Sequence, residues 1–220
     1  MTLGEILGHE FADPALVEMA LTHRSVSAES SGTSDNERLE FLGDAVLQLA
    51  VTEKIYNDYP GLAEGELAKV RAAVVSGESL SQVANRVGLG RFLNLSASEE
   101  RSGGRTKDSI LANAMEAIIG AVYLDGGLDV VTGMIYRLWG STIDDKAESP
   151  GRLDFKTRLQ EVLATQGKRP SYEVSGVGPD HDRVFTAMVF VDGTVLGSGQ
   201  GPSKKASEQI AAQQALETLK

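Results

Sequence analysis

At 220 residues the chain suits one large domain or two small ones, and 41% hydrophobic with 24% charged residues is the composition of a soluble globular protein. It contains no cysteine, which excludes disulfides, thiolate zinc sites and cysteine nucleophiles. The net charge of −10 is unevenly spread: residues 151–220 hold 9 Lys+Arg against 8 Asp+Glu, a net of +1, so the acid lies in the first two-thirds, opposite to a simple nucleic-acid footprint. The opening "MTLGEILGHEF" has no basic n-region and no sustained apolar run, so no signal peptide is expected. No stretch is expected to span a membrane, and the cytoplasm is the expected location.

Residues 1 to about 140 read as helical. Asp13-Pro14 is an N-cap followed by proline at the first helical position, opening "PALVEMALTHRS". "NERLEFLGDAVLQLAVTEKIYNDY" is a long helix that ends before Pro60, and "EGELAKVRAAVVSGESLSQVANRVGL" gives two more, broken near Ser76-Gly77. "SASEERSGGRT" has the composition of a polar loop. The apolar "ILANAMEAIIGAVYL" and then "DVVTGMIYRLWGSTIDD" complete an all-α domain, assigned to residues 1–145. "STIDDKAESPGR" marks a linker, centred on 146–152. The pattern then changes. "DFKTRLQEVLATQG" is helical, "SYEVSGV" and "RVFTAMVFV" have strand composition, Asp192-Gly193 is a hairpin turn before "TVLGSG", and "SKKASEQIAAQQALETL" is a closing helix. Residues 153–220 therefore form a small α+β domain in the order α-β-β-β-α, with the helices on one face of an antiparallel sheet.

Two helices carry the chemistry. In "NERLEFLGDAVLQL", Leu39, Leu42, Val46 and Leu49 form one stripe, while Glu37, Glu40 and Asp44 form a second at i, i+3 and i+7. On spacing alone a solvated face is as good a reading as a site. However, no Lys or Arg stands at i+4 to relieve the acidic stripe. The apolar helix poses a matching problem: Glu116 is the single charge between Ile110 and Leu124, sharing a face with Asn113 and Gly120. An ionised carboxylate buried without a partner is costly. If the two faces pack together, Glu40, Asp44, Asn113 and Glu116 converge as an oxygen-only cluster that needs a counter-cation. Oxygen donors without His or Cys suit Mg²⁺, with Mn²⁺ as substitute, and such sites activate water against phosphodiesters.

"NERLEFLGDAVL" resembles the signature of the bacterial ribonuclease III family, and "LTHRS", "EGELAKVRA", "RSGG" and "ILANAMEAIIGAVYLDGG" resemble further blocks of its nuclease domain in the same order. The stretches "DFKTRLQE", "GPDHDRVFTAMVFVDG" and "GSGQGPSKKASEQIAAQQAL" resemble a double-stranded-RNA-binding domain. The resemblance implies a homodimeric, divalent-metal-dependent endonuclease that cuts both strands of double-stranded RNA. Its products would carry 5′-phosphate and 3′-hydroxyl ends with short 3′ overhangs, and its substrates would be ribosomal and messenger precursors. It places metal ligands on Glu40, Asp44 and Glu116, the last two as catalytic residues, and further valley carboxylates on Glu37 and Glu64. The fourth core acidic position, usually Asp, falls on Asn113. Asparagine keeps a carbonyl oxygen but loses a charge and cannot accept a proton, so weaker metal binding and slowed or abolished cleavage are expected, whether the change is native or deliberate. Phe41 is expected at a dimer contact, and His23 and Arg24 in structural roles. Neither an organic cofactor nor a membrane partner is expected.

In the second domain Thr157, Gln160 and Glu161 share one side of the first helix, where they are expected to meet 2′-hydroxyls of an A-form minor groove. His181 is expected to reach a neighbouring groove, and Ser203, Lys204 and Lys205, which open the last helix, to meet phosphates. Arg101, Arg105 and Lys107 are further candidates for backbone contact. The competing readings are a dsRNA-binding protein disabled in cleavage by Asn113, and a helical protein whose acidic face binds another protein.

Overall fold

The computed structural model describes residues 2–29, 34–148, 150, 155–179 and 183–219. It divides into two compact units, Met1–Pro150 and Gly151–Lys220, each described by itself.

The first unit is helical: α1 (Leu3–Leu7), α2 (Pro14–Leu21), α3 (Arg24–Glu29), α4 (Glu37–Asp58), α5 (Glu64–Val74), α6 (Gly77–Arg86), α7 (Ala97–Arg101) and α8 (Asp108–Ala147). Short-range capping explains several starts. The Asp13 carboxylate accepts from Ala15 N ahead of Pro14, and the Ser76 and Ser96 hydroxyls accept from Ser79 N and Glu99 N. Within α8 the helix breaks at Gly127 (φ 79°, ψ −178°), a conformation essentially reserved for glycine. The two helices expected from the sequence are thus two arms meeting at that glycine. α4 and α8 form the centre, with α2, α5 and α6 around them, and Leu47, Val51, Leu111, Met115, Ile118 and Trp139 are fully buried between these elements. Each such side chain contributes roughly 1.5–3 kcal/mol by leaving water.

The structure differs from the sequence reading at four points. "SASEERSGGRT" is not an open loop but α7 followed by a 3₁₀ turn, Gly104–Thr106. Arg105 explains it: its guanidinium donates to the carbonyls of Gly90 (2.9 Å) and Leu93 (2.8 Å) and to Glu100 (2.6 Å). The stretch read as a linker from Ser141 is helical through Ala147, because Ile143 and Ala147 are buried and the Tyr59 hydroxyl donates to Asp144 at 2.6 Å. Residues 149 and 151–154 lie outside the described residues. Leu49 is not in the core stripe with Leu39 and Val46 but 54% exposed. Finally, α8 is by length and hydropathy alone long enough to cross a bilayer. Many of its apolar residues, Leu111, Met115, Ile118, Ile119, Ile135 and Trp139 among them, are instead part of the protein's own core.

In the second unit α9 (Phe155–Ala164) is followed by β1 (Ser171–Val177), β2 (Val184–Val191), β3 (Thr194–Gly201) and α10 (Lys204–Thr218). The sheet is antiparallel in the order β1-β2-β3, with Val174 opposite Ala187 and Ala187 opposite Gly199. Asp192 and Gly193 both take positive φ (51° and 78°), the backbone that a two-residue hairpin loop needs. Leu159, Leu163, Ala187, Val189, Ala211 and Ala215 close the core between the helices and one sheet face. β3 meets α10 closely because Gly199 lacks a Cβ, which would otherwise stand 2.5 Å from Ala211 N.

Candidate active site and RNA-binding surface

The active-site geometry begins with two glycines. Gly43 on α4 and Gly120 on α8 face each other at the helix crossing. A Cβ on Gly43 would overlap the Glu116 carbonyl, and one on Gly120 the Leu39 carbonyl. The backbones therefore touch. Asp44 adjoins Gly43 and Glu40 lies one turn earlier; Glu116 lies one turn before Gly120 and Asn113 nearly one turn before that. The crossing thus brings Glu40, Asp44, Asn113 and Glu116 to facing surfaces of two helices.

Glu116 is half-buried, and its carboxylate makes no hydrogen bond or ion pair among the described residues. Burial, then the charges of Asp44 and Glu40, push its carboxyl up to about 7. Glu40 is also raised, first by burial and then by Glu37, while the Asn113 amide and Arg24 pull it back. Both Asp44 oxygens accept from Gln48 Nε2, each at 2.9 Å. Glu37 is exposed and meets Arg24 at 3.4 Å, at the margin of the group. Glu64 is exposed in the first turn of α5, and no described bond joins it to the other carboxylates.

Side-chain convergence is less complete than the sequence suggested. Among the described residues no three His, Cys, Asp or Glu side chains are gathered closely enough to hold a metal ion. Gln48 holds Asp44, Asn113 is an amide, and Asp44 and Glu40 act on Glu116 through their charge. The donor set still fits a hard divalent cation. It consists of oxygens only, and Glu116 carries a charge cost that no described cation offsets.

Around this group, His23 has a structural role. Its Nδ1 lies 3.0 Å from Ser25 Oγ, its backbone N donates to Asn94 O, and burial lowers its pKa. Arg24 is 72% exposed and pairs with Glu37 at 3.4 Å. Arg105 staples its own loop, and Lys107 pairs with Glu99 at 2.5 Å and Ser102 at 2.9 Å. Both cations thus support local structure, while Arg101 is exposed. Phe41 is 83% exposed on α4, and Leu49 and Tyr56, at 54% and 70%, are exposed on the same helix.

On the second unit, Thr157 is half-buried while Gln160 and Glu161 are exposed on α9. Gln160 borders a hollow shared with Lys156, Arg169, Pro170 and Tyr172. Ser203 caps α10, its hydroxyl accepting from Ala206 N at 3.1 Å, and Lys204 and Lys205 stand exposed in the first turn. His181 lies outside the described residues. Sequence reasoning missed Gly43, Gln48 and Lys156. A glycine inside a long helix is the available signal for the first. Gln48 stands at i+4 from Asp44, ordinary helical spacing. Lys156 pairs with Glu208 at 2.6 Å and lies 4.5 Å from the Tyr172 ring centre, a long-range meeting that spacing does not reveal.

A helical unit with carboxylates at a glycine crossing, joined to an α-β-β-β-α unit with a cationic helix start, defines a nuclease-type scaffold carrying an RNA-binding module. Residues 13–140 match the Ribonuclease-III-like family and residues 155–219 the Double-stranded RNA binding motif. The chain is 48% identical over 215 residues to Ribonuclease 3 of Streptomyces coelicolor, covering 97% of this chain and 78% of that protein. It is 50% identical over 208 residues to Ribonuclease 3 of Leifsonia xyli subsp. xyli, covering 94% and 88%. The first unit resembles the crystal structure of the nuclease domain of ribonuclease III from Campylobacter jejuni, with a TM-score of 0.59 at 44% identity, covering 64% of this chain and 92% of that one. The chain belongs to the ribonuclease III family.

Proposed function

We propose that this chain is a divalent-metal-dependent endoribonuclease that cuts both strands of double-stranded RNA, leaving 5′-phosphate and 3′-hydroxyl ends with short 3′ overhangs. The observation that carries the reading is the Gly43–Gly120 crossing, which sets half-buried Glu116 against Asp44 and Glu40 in a chain of this family. Glu40, Asp44, Glu116 and the Asn113 carbonyl would hold the cation, Mg²⁺ or in its place Mn²⁺. When bound, the cation supplies Lewis acidity and an activated water for attack on a phosphodiester. Without the cation the Glu116 carboxyl lies near 7, so taking up the cation at neutral pH displaces a proton and binding should tighten as pH rises. Glu37 and Glu64 add negative charge at the edges. The second unit holds the duplex by shape: Thr157, Gln160 and Glu161 meet 2′-hydroxyls, His181 a neighbouring minor groove, and Ser203, Lys204 and Lys205 the phosphates.

Exposed Phe41, Leu49 and Tyr56 on α4 support a homodimer, with one active site per subunit cutting one strand. A related Campylobacter jejuni nuclease domain is described with a region involved in dimer formation. The biological setting is ribosomal and messenger RNA processing in the cytoplasm.

Asn113 favours a second reading, a form that binds duplex RNA but is impaired in cleavage. The deciding experiment compares the full chain with Asn113→Asp on a perfect RNA duplex in Mg²⁺, scoring binding and cutting separately. Ready cutting by both establishes the enzyme; binding by both with cutting only by the variant establishes the impaired form. If neither cuts, the metal-site assignment is wrong.

A further inference from the structure

Gln48 acts on Asp44 in a way that constrains which cation the site can take. Its Nε2 lies 2.9 Å from Oδ1 and 2.9 Å from Oδ2. A donor equally distant from both oxygens of a carboxylate, with acceptable angles at each, lies on the outward bisector close to the carboxylate plane. A cation chelated by both oxygens would need that same position. With Gln48 in place, Asp44 can offer a cation only one oxygen, from its outer side. Ca²⁺ uses mono- or bidentate carboxylates in flexible shells of 6–8 oxygens, whereas Mg²⁺ demands a compact octahedron built from single oxygens and waters. Gln48 is neutral, so it restricts the geometry without cancelling the charge that attracts the ion. The side chain stands one turn from Asp44 on the same helix and is half-buried, so α4 itself keeps the amide within reach of the carboxylate.

We propose that Gln48 is a specificity-determining residue of this site: by occupying the chelating position of Asp44 it favours a small octahedral cation, Mg²⁺ or Mn²⁺, over Ca²⁺. The inference rests on reading Glu40, Asp44, Asn113 and Glu116 as the cation site.

The test needs neither RNA nor turnover. Mn²⁺ binding to the full chain is followed by its electron paramagnetic resonance signal and then competed with Ca²⁺, in the parent, Gln48→Leu and Gln48→Ala. Circular dichroism and urea unfolding identify which variants remain folded. The expected result is that Ca²⁺ displaces Mn²⁺ from both variants at roughly tenfold lower concentration than from the parent, the scale typical of losing a residue that orients a metal ligand. An unchanged displacement ratio in the folded variants overturns the proposal while leaving the site intact. The double variant Asp44→Asn with Glu116→Gln is the control for the site. If it binds Mn²⁺ as well as the parent does, the cation sits elsewhere and the underlying reading falls.

Discussion

Glu116 is the residue whose environment has the clearest physical consequence. Its carboxyl is raised from 4.5 to about 7, so the folded chain holds the proton more tightly than the unfolded chain. Below about pH 4.5 both states are protonated and Glu116 contributes nothing. As pH rises to 7 the unfolded chain ionises first, so stability falls through that window, and the full cost is present above it. Allowing for solvent screening at a half-buried group, this cost is about 1–2 kcal/mol. Glu116→Gln in EDTA should therefore gain stability relative to the parent by about that amount between pH 4.5 and 8. Urea unfolding at both pH values measures it, and a difference that does not vary with pH rejects this account.

The α4–α8 packing fails or survives on Gly43. Any side chain there runs into backbone rather than into a movable neighbour. Gly43→Ala should cost about 3 kcal/mol or more, the upper range for overpacking, and should separate Glu116 from Asp44. Denaturant midpoints test the first effect, and a destabilisation below about 1 kcal/mol would show that the helices can part cheaply. The sequence made α4 and α8 visible through periodicity and punctuation but did not reveal the Gly43–Gly120 approach. Helix propensity treats a glycine as a weakness, and only a neighbouring backbone turns that weakness into a requirement.

For the whole molecule, two surfaces make separate predictions. Replacing Lys204 and Lys205 with Ala should weaken duplex binding in EDTA and lower its salt dependence, by roughly 0.7–0.9 in the log–log slope for each phosphate that is no longer neutralised. A slope equal to the parent's would remove α10 from the RNA surface. Phe41→Asp places a charge at the most exposed of the three apolar side chains that α4 presents outward, Phe41, Leu49 and Tyr56. Sedimentation should then show a monomer where the parent sediments as a dimer, with unfolding little changed because Phe41 is not in the core. A variant that still dimerises would shift the interface to another face.

Much of the chain was determined by sequence alone, because the decisive signals were local. Asp13-Pro14 and Ser76-Gly77 set helix ends, Asp192-Gly193 set the hairpin, and two hydrophobic periods, near 3.6 and near 2, separated the helical unit from the α+β unit. Residue types also restricted the candidate site to oxygen donors. Tertiary structure decided what depends on residues far apart in the chain. Arg105 turned an apparent loop into a stapled turn by reaching Gly90 and Leu93, and Ile143 drew an apparent linker into α8. Leu49 left the core stripe because α4 presents a second apolar face outward, which one-dimensional spacing cannot distinguish from the first. The carboxylates were legible as a group, but their relation was not: the close approach at two glycines and the raised Glu116 exist only where α4 and α8 cross.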